Sequence, residues 1–150
     1  MMKYFIYYSA TGNGDFIASK LKEVGYEIIK VETIKPMGKM SFFKMLKYGG
    51  DAMFNKKAKI KPIDLSIKDD DVVAIGSPIW NDRLSTPINA ILSQFVFNKD
   101  STKFVLYPAG DSAKKAIKQL EKQGFKNSPF VFTYPLKNEQ RIKEVIDYLK

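Results

Sequence analysis

The sequence predicts a doubly wound α/β fold. Apolar runs of strand length alternate with helical spacing from end to end, several of those runs are continuous rather than alternating, and capping residues punctuate the joins. The strand candidates are Lys3–Tyr8, Tyr26–Val31, Val72–Gly76, Lys103–Tyr107 and Phe130–Tyr134. Near-continuous apolar strands are expected where helices cover both faces of a parallel sheet.

The helices follow in order. The first buries Phe16, Ile17, Leu21 and Val24 and ends at Gly25. A second, crossover helix is expected within Ile34–Leu65, carried by Phe42, Met45 and Leu46 and broken at Gly49-Gly50, because parallel strands need such a connection. A basic amphipathic segment on a membrane surface is the alternative for this stretch. Ile88, Ile91, Leu92 and Phe95 repeat at i, i+3, i+4 and i+7, behind an N-cap and proline in Ser85-Thr86-Pro87. Ala113, Ala116, Ile117 and Leu120 repeat in the same way, with Ser112 as cap and Gly124 as stop. Ile142, Val145, Ile146 and Leu149 form the last helix, capped by Asn138.

Composition narrows the chemistry. The 150 residues suit one domain, and 45% hydrophobic content argues for a folded core. The chain has no Cys and no His, which removes thiolate chemistry and the commonest catalytic base. Redox chemistry, if any, has to come from a bound cofactor. No apolar run is long enough to span a bilayer and no signal-peptide pattern opens the chain, so a cytoplasmic location is expected. The net charge of +9 is almost entirely lysine, scattered along the chain, with Arg83 and Arg141 the only arginines. That pattern fits a lysine-rich surface or an acidic partner better than nucleic acid.

In an open parallel sheet, ligands bind beyond the carboxyl ends of the strands. Three loops leave such ends. The first, Ser9-Ala10-Thr11-Gly12-Asn13-Gly14-Asp15, joins a strand to a helix start, where free N–H groups and the helix dipole favour an anion. Its hydroxyls and glycines suit a phosphate, without any Lys or Arg. It is neither a P-loop nor a good dinucleotide fingerprint. The second loop, Ser77-Pro78-Ile79-Trp80-Asn81-Asp82, carries the only tryptophan, expected past a strand end and at least half exposed, as a surface for a flat aromatic ligand. The third is Tyr107-Pro108-Ala109-Gly110-Asp111-Ser112. The strands before the first two loops can be neighbours, making them two walls of one crevice.

The element order and these loops resemble the flavodoxin family, small FMN-binding electron carriers. Ile6-Tyr7-Tyr8-Ser9-Ala10-Thr11-Gly12-Asn13-Gly14, with Ala18 and Leu21 behind, is similar to the family's phosphate signature. Gly76-Ser77-Pro78-Ile79-Trp80 followed by Ser85-Thr86-Pro87-Ile88-Asn89 resembles its second signature. The resemblance spans essentially the whole chain and implies a five-stranded parallel sheet of order 2-1-3-4-5 with helices on both faces. It further implies that Ser9, Ala10, Thr11, Gly12, Asn13 and Gly14 bind the FMN phosphate and that Trp80 covers one face of the isoalloxazine ring. The backbones of Pro78, Ile79, Trp80, Asn81 and Asp82, and of Ala109, Gly110, Asp111 and Ser112, would meet the ring. Asn81 would supply the positive φ that a glycine usually gives in a backbone flip on reduction.

Three positions depart from the family. Gly14 replaces a threonine, Asp15 sets a carboxylate beside the phosphate, and Lys114 lies near where an aromatic residue usually covers the second ring face. That face would be open, or covered by a residue such as Tyr48 or Phe54. The implied function is an FMN-dependent electron carrier between redox protein partners, including partners with acidic surfaces. The alternatives are a small FMN-dependent NAD(P)H:quinone-type oxidoreductase and a flavodoxin-fold binding module that has lost FMN. A phosphoacceptor receiver domain is a poor fit, because Tyr7-Tyr8-Ser9 and Ile75-Gly76-Ser77 lack the acidic residues it needs.

Overall fold

The apolar runs become the strands of one sheet in the computed structural model, which describes residues 1–34, 57–110 and 112–150. The expected helix around Phe42, Met45 and Leu46, the candidates Tyr48 and Phe54, and Asp111 lie outside the described residues. The strands are β1 (Lys3–Tyr7), β2 (Glu27–Lys30), β3 (Val72–Trp80), β4 (Arg83–Leu84), β5 (Lys103–Pro108) and β6 (Phe130–Val131). They lie in the order β2-β1-β3-β5-β6, all parallel, with β4 antiparallel on β3. Counting parallel strands alone, this is the expected order 2-1-3-4-5. The sixth strand was not expected.

Side-chain alternation along the strands splits the core in two. On one face Ile6, Val73, Ile75, Phe104 and Leu106 pack with Ile88, Ile91, Ala116 and Leu120. These come from helices α2 (Thr86–Gln94) and α3 (Lys114–Lys122). On the other face Phe5, Tyr7, Ala74, Val105 and Tyr107 pack with Ile17, Leu21, Val145 and Leu149. Those belong to α1 (Asn13–Glu23) and α4 (Ile142–Leu149). Helices therefore cover both faces.

The glycine stops are as expected, for a local reason. At the end of α1, Gly25 has φ 95 and its N–H bonds to Lys22, while the Tyr26 N–H reaches back to Leu21. Gly124, Glu121, Phe125 and Leu120 repeat this pattern after α3, with φ 92 at the glycine. Both are Schellman closures, in which the left-handed residue lets two carbonyls be satisfied and an aromatic side chain folds back.

The helix starts differ from expectation. Ser112 does not cap α3; Ala113 holds that position, and the Asp82 carboxylate accepts the Lys115 N–H from across the sheet edge at 3.3 Å. Asn138 does not cap α4. Its amide donates to the carbonyls of Thr133 and Tyr134, and two short 3-10 turns precede Ile142. Ser85 occupies the N-cap position of α2, but its hydroxyl is engaged with Ser77, and Pro87 is the second helical residue. Val24 is exposed at 42% rather than buried. The last strand stops at Val131, and Tyr134 turns with φ 48.

Asp71 pins the start of β3 by accepting N–H groups of Met2 at 2.8 Å and Lys68 at 2.7 Å. These backbone bonds, Lys68 first, hold its carboxyl below the usual range. A lowered carboxyl contributes stability above the unfolded value, about pH 4, which is lost as pH falls through the folded value. Asp71→Asn is therefore expected to lower the melting temperature at pH 7 and to flatten its decline below pH 4. Parallel melting curves against pH for the two proteins would refute this.

Candidate functional site

The carboxyl ends of β1, β3 and β5 sit side by side, so the three unusual loops share one edge of the sheet. The Tyr8 N–H bonds to the Gly76 carbonyl at 3.2 Å, which continues the pairing to the mouth of the first loop.

In that loop the chain doubles back over its own hydroxyl. Ser9 Oγ accepts the N–H groups of Gly12 at 3.2 Å, Gly14 at 3.1 Å and, more weakly, Asp15 at 3.4 Å. Three backbone donors thus converge on one oxygen at the start of α1, where the helix dipole is positive. Gly12 makes the turn possible with φ 93, a left-handed conformation that side chains disfavour. Thr11 is exposed beside it. Asn13 donates to Thr11 Oγ1 and accepts the Leu136 N–H, each at 3.4 Å.

Gly14 is required for a different reason. A Cβ there would lie 2.6 Å from the Tyr107 hydroxyl and 2.8 Å from Tyr7 Cδ2. Two tyrosines from the sheet occupy the space of any larger residue. Both phenols are pushed well above their ordinary pKa, chiefly by burial and then, for Tyr7, by its bond to the Asp15 carboxylate. They stay protonated and act as donors: Tyr107 to the Tyr8 carbonyl, Tyr7 to Asp15 Oδ1 at 2.7 Å. Lys30 Nζ lies 2.9 Å from the same carboxylate oxygen. Asp15 is therefore balanced by a cation and a phenol, which offsets its repulsion of an anion in the turn.

The second loop is largely strand. Ser77, Pro78, Ile79 and Trp80 extend β3, and the chain reverses at Asn81 (φ 51) and Asp82 (φ 64) before β4. Two left-handed residues between paired strands make a type I′ hairpin, which suits the right-handed twist. Asn81 thus has the positive φ expected of it. Ser77 tolerates its place in the core because its hydroxyl accepts the Ser85 N–H at 3.2 Å and shares a bond with Ser85 Oγ at 3.0 Å.

Trp80 corrects the sequence expectation. It ends β3 rather than following it, is only 8% exposed, and belongs to the core on the α2–α3 face. Its ring meets Tyr8 edge-on at 5.8 Å and 89°. The ring is a core residue in this conformation, not an exposed surface.

Asp82 draws the second and third loops together. Its carboxylate accepts the Ser112 hydroxyl at 2.8 Å and its carbonyl accepts the Ala116 N–H at 2.9 Å. Ala109, Gly110 and Ser112 are exposed on this edge, as is Lys114. Sequence reasoning missed Tyr134 and Leu136. Leu136 Cδ1 lies 3.7 Å from where a Gly12 Cβ would be, and Tyr134 stands exposed in a left-handed conformation just before it. The available signal was the Tyr134-Pro135 pair, since a residue before proline favours a turn or boundary.

Among the described residues no three His, Cys, Asp or Glu side chains gather as a metal site. No helix among them is long and apolar enough to cross a membrane. The arrangement gathers three oriented amide donors at the start of α1.

No protein-family model matches the chain, and no curated protein matches it. Solved structures do. A flavoprotein from Lactobacillus acidophilus NCFM, in complex with FMN, superposes with a TM-score of 0.67 at 19% identity, over 93% of this chain and 97% of that one. A candidate flavoprotein from Bacteroides eggerthii DSM 20697 superposes with a TM-score of 0.65 at 22% identity, over 99% and 97%. Another, from Bacteroides uniformis ATCC 8492, gives 0.66 at 16% identity, covering 97% of each chain. The chain shares the flavodoxin-like α/β fold of these proteins.

Proposed function

We propose that this chain binds FMN at the Ser9–Gly14 turn and carries electrons between redox proteins. The carrying observation is the convergence of the Gly12, Gly14 and Asp15 N–H groups at the start of α1, where among the described residues a serine hydroxyl is their acceptor. A phosphate fits such a donor set. Ser9 would yield these N–H groups and turn its own hydroxyl toward the anion, with Thr11 and Asn13 adding donors. The hairpin at Asn81-Asp82 and the strip from Ala109 to Ser112 would flank the ring. Asp111 is part of that strip in the sequence. Bound FMN would supply the one- and two-electron chemistry that a chain without His or Cys lacks.

A carrier needs only a cofactor edge near the surface, and the exposed Ala109 and Gly110 fit that need. The lysine-rich surface suits acidic redox partners. The fold relationship to a protein that binds FMN supports the cofactor by analogy. One observation favours the rival without FMN, because Ser9 already satisfies the turn's donors. Purification decides between them. The proposal expects a yellow protein, or a colourless one that takes up added FMN, with FMN released by acid. A chain that stays colourless with excess FMN would support the rival. NAD(P)H-driven quinone reduction much faster than with free FMN would make it an enzyme instead of a carrier.

A further inference from the structure

Away from the Ser9–Gly14 turn, a groove runs between α2 and α3. The groove has a volume of about 510 Å³, within the range of small-molecule sites. Its charge has one sign. Lys115, Lys118 and Lys122 line it from α3, at the i, i+3 and i+7 spacing that puts them on one helix face. Arg83 from β4 and Lys57 line it as well. None of the described lining residues is acidic. Asp82, the neighbour of Arg83 in the chain, is engaged by Ser112 and the Lys115 N–H and does not line the groove.

Arg83 supplies an independent observation. Its Nε is buried and, among the described residues, has no hydrogen-bond partner. A buried guanidinium N–H without an acceptor is uncommon and costly. The rest of the lining is mainly amide and apolar. Gln119 Nε2 donates to Asn89 Oδ1 at 2.9 Å, tying the two helices together, and Leu92 gives an apolar patch.

From this geometry we propose that the groove binds a phosphorylated small molecule. Its phosphate oxygens would pair with the Arg83 guanidinium and with Lys115, Lys118 and Lys122, and its organic part would rest on Leu92 and the amide side chains. A multiply charged phosphate answers this lining better than a single carboxylate, because five cations with no acidic residue among the described lining repel one another until an anion enters. The bounded volume also favours a small ligand over an extended acidic segment. The site requires neither FMN nor the Ser9–Gly14 turn.

Calorimetric titration of the full chain with inorganic pyrophosphate in low salt tests this. The Lys118→Glu/Lys122→Glu pair is expected to weaken binding by about tenfold or more, and added salt should weaken it in the parent protein. Arg83→Gln should weaken pyrophosphate binding as well, while Lys126→Glu, outside the groove, should not. The fold of each variant is checked by its melting curve. Absence of saturable binding, or binding indifferent to the groove substitutions, overturns the proposal. So does hexaglutamate peptide binding as tightly as pyrophosphate, which would make the groove a dock for acidic protein segments.

Discussion

Replacing Trp80 by alanine is expected to lower the unfolding free energy by about 3–5 kcal/mol, the usual loss for a large aromatic truncated in a packed core. For a chain of this size, that corresponds to a fall in melting temperature of roughly 10 °C. The indole is 8% exposed, ends the strand that leads into the Asn81-Asp82 turn, and packs edge-on against Tyr8. Its removal leaves a cavity beside β4 and loosens the hairpin that holds Asp82. Trp80→Phe keeps part of the packing and should lose less than half as much. Melting of the ligand-free proteins checks the claim. An unchanged melting temperature in Trp80→Ala would return the ring to the surface role that its place after an apolar run suggested.

The second large effect is expected at Gly14. Gly14→Ala puts a methyl group 2.6 Å from the Tyr107 hydroxyl, 2.8 Å from Tyr7 Cδ2 and 3.0 Å from Ser9 Cβ. Overpacking of this kind costs about 1–3 kcal/mol. Tyr107→Phe alone should cost a similar amount, about 1–3 kcal/mol, because it leaves the Tyr8 carbonyl without its buried donor. The two are not independent. In the alanine background, deleting the hydroxyl also removes the closest clash, so the double variant should be more stable than the sum of the singles predicts by about 1 kcal/mol. Strict additivity in a double-mutant cycle of denaturant melts would contradict this account of Gly14. Tyr107 and Tyr7, both from the sheet, fill the space that a side chain at position 14 would need.

Local signals carried the fold a long way. Apolar runs located the parallel strands, and Gly25 and Gly124 marked helix ends, because a Schellman closure is written in adjacent residues. The features that were misread depend on partners distant in sequence. Ser77-Pro78 looks like a strand end, yet β3 continues through it, paired with β5 and β4 and with the Ser77 hydroxyl meeting Ser85 across a hairpin. Asn81-Asp82 was a legible type I′ pair, but it was hidden by that false end. Ser112 looked like a cap by position, yet Asp82, 30 residues away, accepts the helix N–H and the Ser112 hydroxyl together. The site divides in the same way. The Ser9–Gly14 turn could be read from its own residues, whereas the burial of Trp80 and the neutralisation of Asp15 by Lys30 depend on the assembled sheet.

The central claim is that amides at the start of α1 hold the phosphate of FMN. Titrating the colourless or deflavinated protein with FMN and with riboflavin, and following the quenching of flavin fluorescence, tests it most directly. The two ligands share the ring and differ in the phosphate alone. Several charge-assisted hydrogen bonds at about 1.5–3 kcal/mol each predict FMN binding at least about a hundredfold tighter than riboflavin. Equal affinities, or no binding of either flavin, would contradict it.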